Sequence, residues 1–226
     1  MNKTRIIVFE GIDGSGKSLQ FTLLKDRLIG LGFSVAMRDF PDYATFFGTE
    51  VGRLLSGSGG IKADTVDGKS MALWFALDRW ENFHRYIDGE ANFLIINRYV
   101  LSNAVYQSIR DIDIVKPDIV DWVLELEYGH FKLPRPDVNL FFDVGVSRAQ
   151  SNVGRKGFRE YMGSRGEHDV YEASGSIQSR ARDKYLECAR RYDDVAVIDC
   201  MEGETMCSPE SIAEKAFRVL CDRRLV

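Results

Sequence analysis

The sequence predicts an α/β fold in which helices cover both faces of a five-stranded, mostly parallel sheet. Three observations lead to this prediction: short apolar runs recur along the chain, longer amphipathic stretches separate them, and a glycine-rich segment joins the first run to the stretch that follows. Strands that alternate with helices form βαβ units, whose strands are parallel. We therefore expect three layers, with the sheet between two layers of helices.

Five apolar runs are predicted strands. The first, residues 5–9 (RIIVF), is almost wholly apolar, as is typical of a central strand buried on both faces. The others span residues 33–37, 93–97, 137–144 and 195–199. Phe40-Pro41 ends the second strand, because proline cannot donate to a sheet.

The stretches between the strands predict helices. They cover residues 17–31, 46–55, 67–87, 100–110, 117–127, a stretch from 148 onward, and 209–220. The glycine-rich run 56–60 (SGSGG) ends the second of them. The 226 residues contain no internal repeat and fit one domain, 1–226.

Composition excludes several classes of protein. The net charge of −4 argues against a broad nucleic-acid surface, which needs a basic patch. No apolar run approaches the roughly 18 residues that span a bilayer. The four cysteines are scattered through the last quarter, and no signal segment precedes the first strand. We therefore expect reduced thiols in a cytoplasmic protein.

A phosphate-binding motif follows the first strand. The segment 11–18 (GIDGSGKS) fits G-x-x-x-x-G-K-[ST] between a predicted strand and a predicted helix, so a chance glycine-rich turn explains it poorly. Backbone N–H groups of this P-loop would surround the phosphates of ATP, Lys17 would reach the β- and γ-phosphates, and Ser18 would ligate Mg²⁺. The predicted phosphate-binding residues are Gly11, Asp13, Gly14, Ser15, Gly16, Lys17 and Ser18. The fold is thus of the P-loop NTPase type.

A basic, glycine-rich segment at about 154–170 lacks an apolar face. It carries Arg155, Lys156, Arg159 and Arg165. An isolated segment of this kind is usually a solvated surface loop. Beside a P-loop the favoured interpretation is a lid whose arginines close over the phosphates.

The acceptor of the phosphoryl group must be inferred from other residues. Phe75 and Arg79 are four apart, so on a helix they share a face that could stack on a base and donate to its carbonyl. Arg98 follows the third strand, where open α/β sheets bind ligands, and could meet a phosphate. Asn103 and Tyr106 are three apart and would face the same pocket.

Together, in order and spacing, these motifs resemble the thymidylate kinase family over nearly the full length of the chain. The matching segments are 9–18 (FEGIDGSGKS), Phe40-Pro41, 97–99 (NRY), 133–137 (LPRPD) and 169–172 (DVYE). The resemblance implies transfer of the γ-phosphoryl group from ATP to dTMP, with Mg²⁺, in a homodimer.

The resemblance also assigns roles to individual residues. It places Asp13 beside the acceptor's 3′-hydroxyl and the metal, Phe40 and Pro41 beside the thymine, Phe75 against the base, Arg79 on the thymine carbonyl, Arg98 on the acceptor phosphate, Asn103 and Tyr106 at the pyrimidine edge and the 2′ position, Tyr171 at the acceptor, and Glu172 near Mg²⁺.

The chain departs from the family pattern at several positions. Asn97 replaces an aspartate, which removes a carboxylate that could position metal-bound water. Asn152 stands where an arginine usually lies against adenine, so the residue that covers the adenine stays open, with Arg155 as candidate. Gly14 stands where some members carry a P-loop arginine. The lid arginines would then stabilise the transition state, with Arg159 favoured.

The predicted catalytic residues are Lys17, Arg98, Arg159 and Asp13. Two other functions remain possible: a kinase for another pyrimidine deoxynucleotide such as dUMP, or a non-catalytic nucleotide-binding homologue, suggested by Asn97. A GTPase is disfavoured because the guanine-binding motif Asn-Lys-x-Asp is absent.

Overall fold

A five-stranded parallel sheet forms the centre of the computed structural model, which describes residues 3–110, 118–153 and 175–226. Its strands are β1 (Arg5–Glu10), β2 (Val35–Asp39), β3 (Phe93–Asn97), β4 (Val138–Asp143) and β5 (Val195–Asp199). They lie in the order β2-β3-β1-β4-β5, and each neighbouring pair is parallel. The predicted α/β class and the parallel sheet are confirmed.

Helices pack around this sheet. They are α1 (Lys17–Gly30), α2 (Phe46–Ser56), α3 (Gly68–Phe83), α4 (Val100–Arg110), α5 (Val120–Leu124), α6 (Val146–Val153), α7 (Gly175–Arg191) and α8 (Pro209–Asp222). Within the described ranges, no helix is both long and apolar enough to cross a bilayer.

Burial on both faces explains the apolar sequence of the central strand, β1. Ile6, Ile7, Val8 and Phe9 are at most 1% exposed, because β3 and β4 flank β1 and helices cover both faces. Such a strand has no solvent-facing side, so apolar residues are continuous rather than alternating.

Some predicted boundaries were wrong. The second strand begins at Val35 rather than at residue 33, because the Phe33 N–H closes the end of α1 on the carbonyl of Leu28. The long helix predicted over 67–87 ends at Phe83. Asp67 is its N-cap and accepts a hydrogen bond from the Ser70 N–H at 3.1 Å.

Several elements of the described residues were not predicted, among them a 3-10 helix at Ala63–Thr65. The helix predicted over 117–127 is the short α5, which continues into a π-helical turn, Glu125–His130. Helix α7 follows the predicted lid. A hairpin of β6 (Met201–Glu202) and β7 (Thr205–Met206) separates β5 from α8.

The topology gathers polar strand ends at one edge of the sheet. Glu10, Asp39, Asn97, Asp143 and Asp199 each end a strand of the sheet. Asp39 is in register with Asn97, and Asp143 with Asp199. Because β1 lies between β3 and β4, the loops after these strands meet over its carboxyl end, where α/β sheets bind ligands.

Candidate active site

The P-loop turns sharply from β1 into α1. Gly14 and Gly16 have φ angles of +80° and +87°, a left-handed conformation that side chains disfavour. A Cβ atom on Gly14 would lie 2.0 Å from the carbonyl oxygen of Ala149 in α6. Glycine at position 14 is therefore required both by the backbone conformation and by the packing of α6.

Lys17 is the first residue of α1 and is 7% exposed. Its Nζ donates to the carbonyl oxygens of Gly11 and Ile12, each at 2.8 Å, and to Oγ of Ser15 at 3.3 Å. These bonds hold the ammonium group over the loop, at the place where phosphates would bind. Ser18, the next residue in the helix, is exposed.

Arg98 lies directly after β3 and pairs with Asp13 of the P-loop. Its NH2 atom is 2.5 Å from Oδ1 of Asp13. Burial disfavours the charged guanidinium, but the Asp13 carboxylate outweighs this effect and holds the pKa of Arg98 well above its ordinary value. Arg98 also has a φ of +58°, a strained conformation for a non-glycine residue that is typical of functional sites.

Gln178 of α7 connects the helix after the predicted lid to the P-loop. Its Oε1 accepts from the Asp13 N–H, and its Nε2 donates to Oδ2 of Asp13, both at 3.2 Å. The hydroxyl of Tyr106 donates to the same Oε1 at 3.4 Å. Sequence reasoning missed Gln178, because no local motif marks it.

Glu10, at the end of β1, holds the start of α4 in place. It is fully buried and accepts from the N–H groups of Tyr99 and Ser102 at 3.0 and 3.3 Å, and from the Tyr185 hydroxyl at 2.9 Å. A carboxylate at a helix N-terminus satisfies its unpaired N–H groups. Glu10 thereby fixes the turn that carries Arg98.

One cavity of about 580 Å³ joins the P-loop to the predicted acceptor residues. Its lining includes Asp13, Gly14, Ser15, Gly16, Lys17, Ser18, Phe40, Pro41, Phe75, Arg79, Arg98, Asn103 and Tyr106. Its size suits a nucleotide-sized ligand. The fold therefore brings residues from five separate segments to one site.

At the far end of the cavity, Arg79 is only 2% exposed and is held by Glu127 from the π-helical turn. Its Nε and NH2 atoms donate to Oε2 and Oε1 of Glu127 at 2.5 and 2.6 Å. Asn103 donates from Nδ2 to Oε1 of Glu127 at 2.8 Å and to the Ala72 carbonyl at 3.0 Å. Sequence reasoning missed Glu127.

Near the P-loop, the amide of Asn97 has a carboxylate beside it. Its Nδ2 donates to Oδ1 of Asp39 at 2.8 Å, and both residues line the cavity. A negative charge thus remains at this edge of the sheet although position 97 is neutral. Asp39 was also missed, although its place at a strand end directly before Phe40-Pro41 could have indicated it.

Asn152 ties α6 to the P-loop. Its Nδ2 donates to the Gly14 carbonyl at 2.9 Å and lies 3.5 Å from Sδ of Met206 in the hairpin. The predicted lid residues lie outside the described ranges: Arg155, Arg159, Arg165, Tyr171 and Glu172.

The donor set fits Mg²⁺. The Ser18 hydroxyl and the Asp13 carboxylate are hard oxygen ligands, which Mg²⁺ prefers. Among the described residues, no group of three or more His, Cys, Asp or Glu side chains could hold a metal alone.

Comparison with known proteins gives a consistent result. The family model for thymidylate kinase matches residues 9–207. A thymidylate kinase of Mycobacterium tuberculosis is 31% identical over 188 residues, which are 81% of this chain and 85% of that protein. A probable thymidylate kinase of Thermococcus onnurineus is 28% identical over 203 residues, covering 86% and 89% of the two chains.

A solved thymidylate kinase from Candida albicans has the same fold. The two structures superpose with a TM-score of 0.73 over 99% of this chain and 93% of that one, at 20% identity. This similarity supports the α/β fold of the chain.

Proposed function

We propose, since the chain belongs to the thymidylate kinase family, that it transfers the γ-phosphoryl group of ATP to dTMP and yields dTDP and ADP. One observation carries this proposal: a single cavity connects a P-loop to a buried arginine-glutamate-asparagine cluster, with Arg98 between them. The P-loop can bind a nucleoside triphosphate, and the arginine-glutamate-asparagine cluster can bind a pyrimidine base. Arg98 can bind the phosphate of the acceptor nucleotide.

At the P-loop, the backbone N–H groups and the N-terminus of α1 would bind the ATP phosphates. Lys17 would exchange its loop carbonyls for phosphate oxygens, which are stronger partners because they are charged. Ser18 and Asp13 would hold Mg²⁺, which would neutralise charge on the β- and γ-phosphates.

At the acceptor phosphate, Arg98 would hold the group in line with the γ-phosphorus. An oxygen of the dTMP phosphate attacks that phosphorus, and the bond to the bridging β–γ oxygen breaks, so that ADP leaves with the electron pair. The attacking oxygen is already an anion, so no general base is needed. The protein contributes position and positive charge.

At the base, hydrogen-bond polarity favours thymine. Nδ2 of Asn103 is committed to Glu127 and Ala72, so its Oδ1 remains as a buried acceptor with no partner in the described part of the chain. The thymine edge presents an N–H donor and a carbonyl acceptor, which match Asn103 Oδ1 and the Arg79 guanidinium. Cytosine presents the reverse pattern, an unprotonated ring nitrogen and an amino group.

The test is a coupled ADP-release assay with Mg·ATP and dTMP, dUMP, dCMP, dGMP, dAMP or UMP. Strongest turnover with dTMP supports the proposal. Strongest turnover with dUMP or another acceptor keeps the kinase but rejects thymidylate as its substrate. ATP binding without turnover on any acceptor supports the non-catalytic alternative suggested by Asn97.

We also propose a homodimer formed through α3. Leu73, Leu77, Trp80 and His84 share one face of this helix, and Leu73 and Trp80 are 40% and 42% exposed. Phe46, at the start of the adjacent α2, is 66% exposed. An apolar face of this kind on a monomer is typical of a protein interface.

The cytoplasm is the proposed location. All four cysteines lie within the described range 175–226, and all are free thiols. Burial raises the pKa of both Cys188 and Cys200 to about 12, which keeps these thiols protonated and unreactive. Free thiols are usual in a reducing compartment.

A further inference from the structure

We propose that Glu127 is a positioning residue that sets which bases the acceptor site accepts. This inference rests on the proposed function, since it concerns the base end of the same cavity. Glu127 does not line the cavity; it lies behind Arg79 and Asn103, which do. It would therefore act on the substrate only through these two side chains.

The carboxylate of Glu127 is fully buried, and its oxygens accept three hydrogen bonds from two residues. Two of these bonds come from Arg79, in the bidentate geometry that fixes the plane of a guanidinium. The third comes from Asn103. A buried charge is retained when it is paired and hydrogen-bonded, and here the paired cation is the residue predicted to bind the base carbonyl.

The same carboxylate determines how the Asn103 amide is oriented. Nδ2 faces two acceptors, Oε1 of Glu127 and the carbonyl oxygen of Ala72. Turning the amide over would bring Oδ1 against both of these oxygens, which is repulsive. The amide atom of Asn103 that has no partner among the described residues is then Oδ1, a buried acceptor, and Asn103 itself lines the cavity. An acceptor suits the ring N–H of thymine or uracil and opposes the ring nitrogen of cytosine.

The π-helical turn places Glu127 at this point. The turn follows α5, and the Glu127 carbonyl accepts from the Leu133 N–H at 3.0 Å, which anchors the turn to the chain that leads into β4. Glu125, in the same turn, is a natural control, because its side chain is 68% exposed. Single π-type turns inside helical segments are often found at functional sites.

The test is Glu127→Gln, which keeps the shape but replaces one acceptor oxygen with a donor. The new NH2 group must face either Arg79 alone or Arg79 and Asn103 together. It therefore disturbs the guanidinium in both orientations, and in one of them it also favours the turned-over Asn103. We expect the ratio of kcat/KM for dTMP to that for dCMP to fall at least about 10-fold, the size of one mismatched buried hydrogen bond. The KM for ATP should stay within about two-fold, because the P-loop is untouched.

Glu125→Gln should leave both the ratio and the KM values unchanged. Loss of thermal stability in Glu127→Gln with an unchanged dTMP-to-dCMP ratio would mean that Glu127 is only structural, and would overturn the inference. If that variant does not fold, Glu127→Asp tests the same point with the charge kept and the reach shortened. We then expect a raised KM for dTMP only; an unchanged KM for dTMP would overturn the inference. Failure of the unmodified chain to phosphorylate dTMP would instead reject the proposed function.

Discussion

Asn97 donates a hydrogen bond of 2.8 Å to Asp39, and the two residues stand in register at the carboxyl ends of β3 and β2. The chain thus has one carboxylate and one amide where two carboxylates would repel each other. This relationship gives the neutral residue at position 97 a defined structural partner.

The first prediction follows from that pair. Asn97→Asp should lower kcat/KM roughly 10-fold, because two carboxylates at hydrogen-bond distance repel and raise each other's pKa. Asp39→Asn should also lower kcat/KM, because it removes the carboxylate of the pair. The double exchange, Asp39→Asn with Asn97→Asp, restores one carboxylate and one amide. Steady-state kinetics should show recovery to within about three-fold of the unmodified enzyme. A double variant no better than either single one would refute this interpretation.

The second prediction concerns the phosphate-binding cations. Lys17→Ala and Arg98→Ala should each reduce kcat by roughly 10³-fold or more, the scale seen when a transition-state cation is removed. Arg53→Ala, at a side chain that is 56% exposed on α2, is the control and should have no effect. Single-turnover kinetics on folded protein will measure the loss, and most of the activity surviving in either variant would disprove the assignment.

The third prediction concerns pH. Burial raises the pKa of Asp78 from 3.8 to about 6, while its oxygens accept from the Asp42 N–H at 3.2 Å and the Thr45 hydroxyl at 3.1 Å. Compared with the unfolded chain, the folded state favours the neutral form of the Asp78 side chain. The corresponding stability is fully present below pH 3.8 and is lost as pH rises through about 6, by about 3 kcal/mol in total.

Asp78→Asn cannot ionise and should not show that loss. The difference in free energy of unfolding between the variant and the unmodified chain should therefore shift in favour of the variant as pH rises from 3.8 through about 6. Urea titrations at several pH values will measure it. Asp26→Asn, at a side chain that is 61% exposed, should give a constant difference. A constant difference for Asp78→Asn as well would contradict the prediction.

The fourth prediction concerns the α3 face. Trp80→Glu should convert the proposed dimer to a monomer, because it places a charge in the centre of the apolar stripe. Light scattering after size-exclusion chromatography will give the mass. Leu31→Glu, at an exposed apolar residue that follows α1, should leave the mass unchanged. A monomeric unmodified chain would reject the dimer.

How far the sequence predicted the site depended on whether its parts are local. The P-loop is one continuous motif between a strand and a helix, so Lys17 and Ser18 could be assigned from spacing alone. The helix face of Arg79 could be predicted, but its burial could not. Its partner Glu127 is 48 residues away and lies on another element. Gln178 was missed for the same reason. Contacts of this kind depend on how elements pack, which periodicity does not report.

The fold itself was easier to predict, since each of the five strands coincides with an apolar run, and β1, β3 and β4 are buried along almost their whole length. Its short elements were not. The π-helical turn at Glu125–His130 has the composition of an ordinary helix, and the hairpin at Met201–Met206 contains too few residues to show a pattern.

The contact between Gly14 and α6 also constrains how this enzyme can evolve. A side chain at position 14 would collide with the Ala149 carbonyl at 2.0 Å, so an arginine cannot be introduced there by a single substitution while α6 keeps its place. An arginine at this position would require α6 to move away from the P-loop. Glycine at position 14 thus couples the sequence of the P-loop to the position of a helix that is more than 130 residues away along the chain.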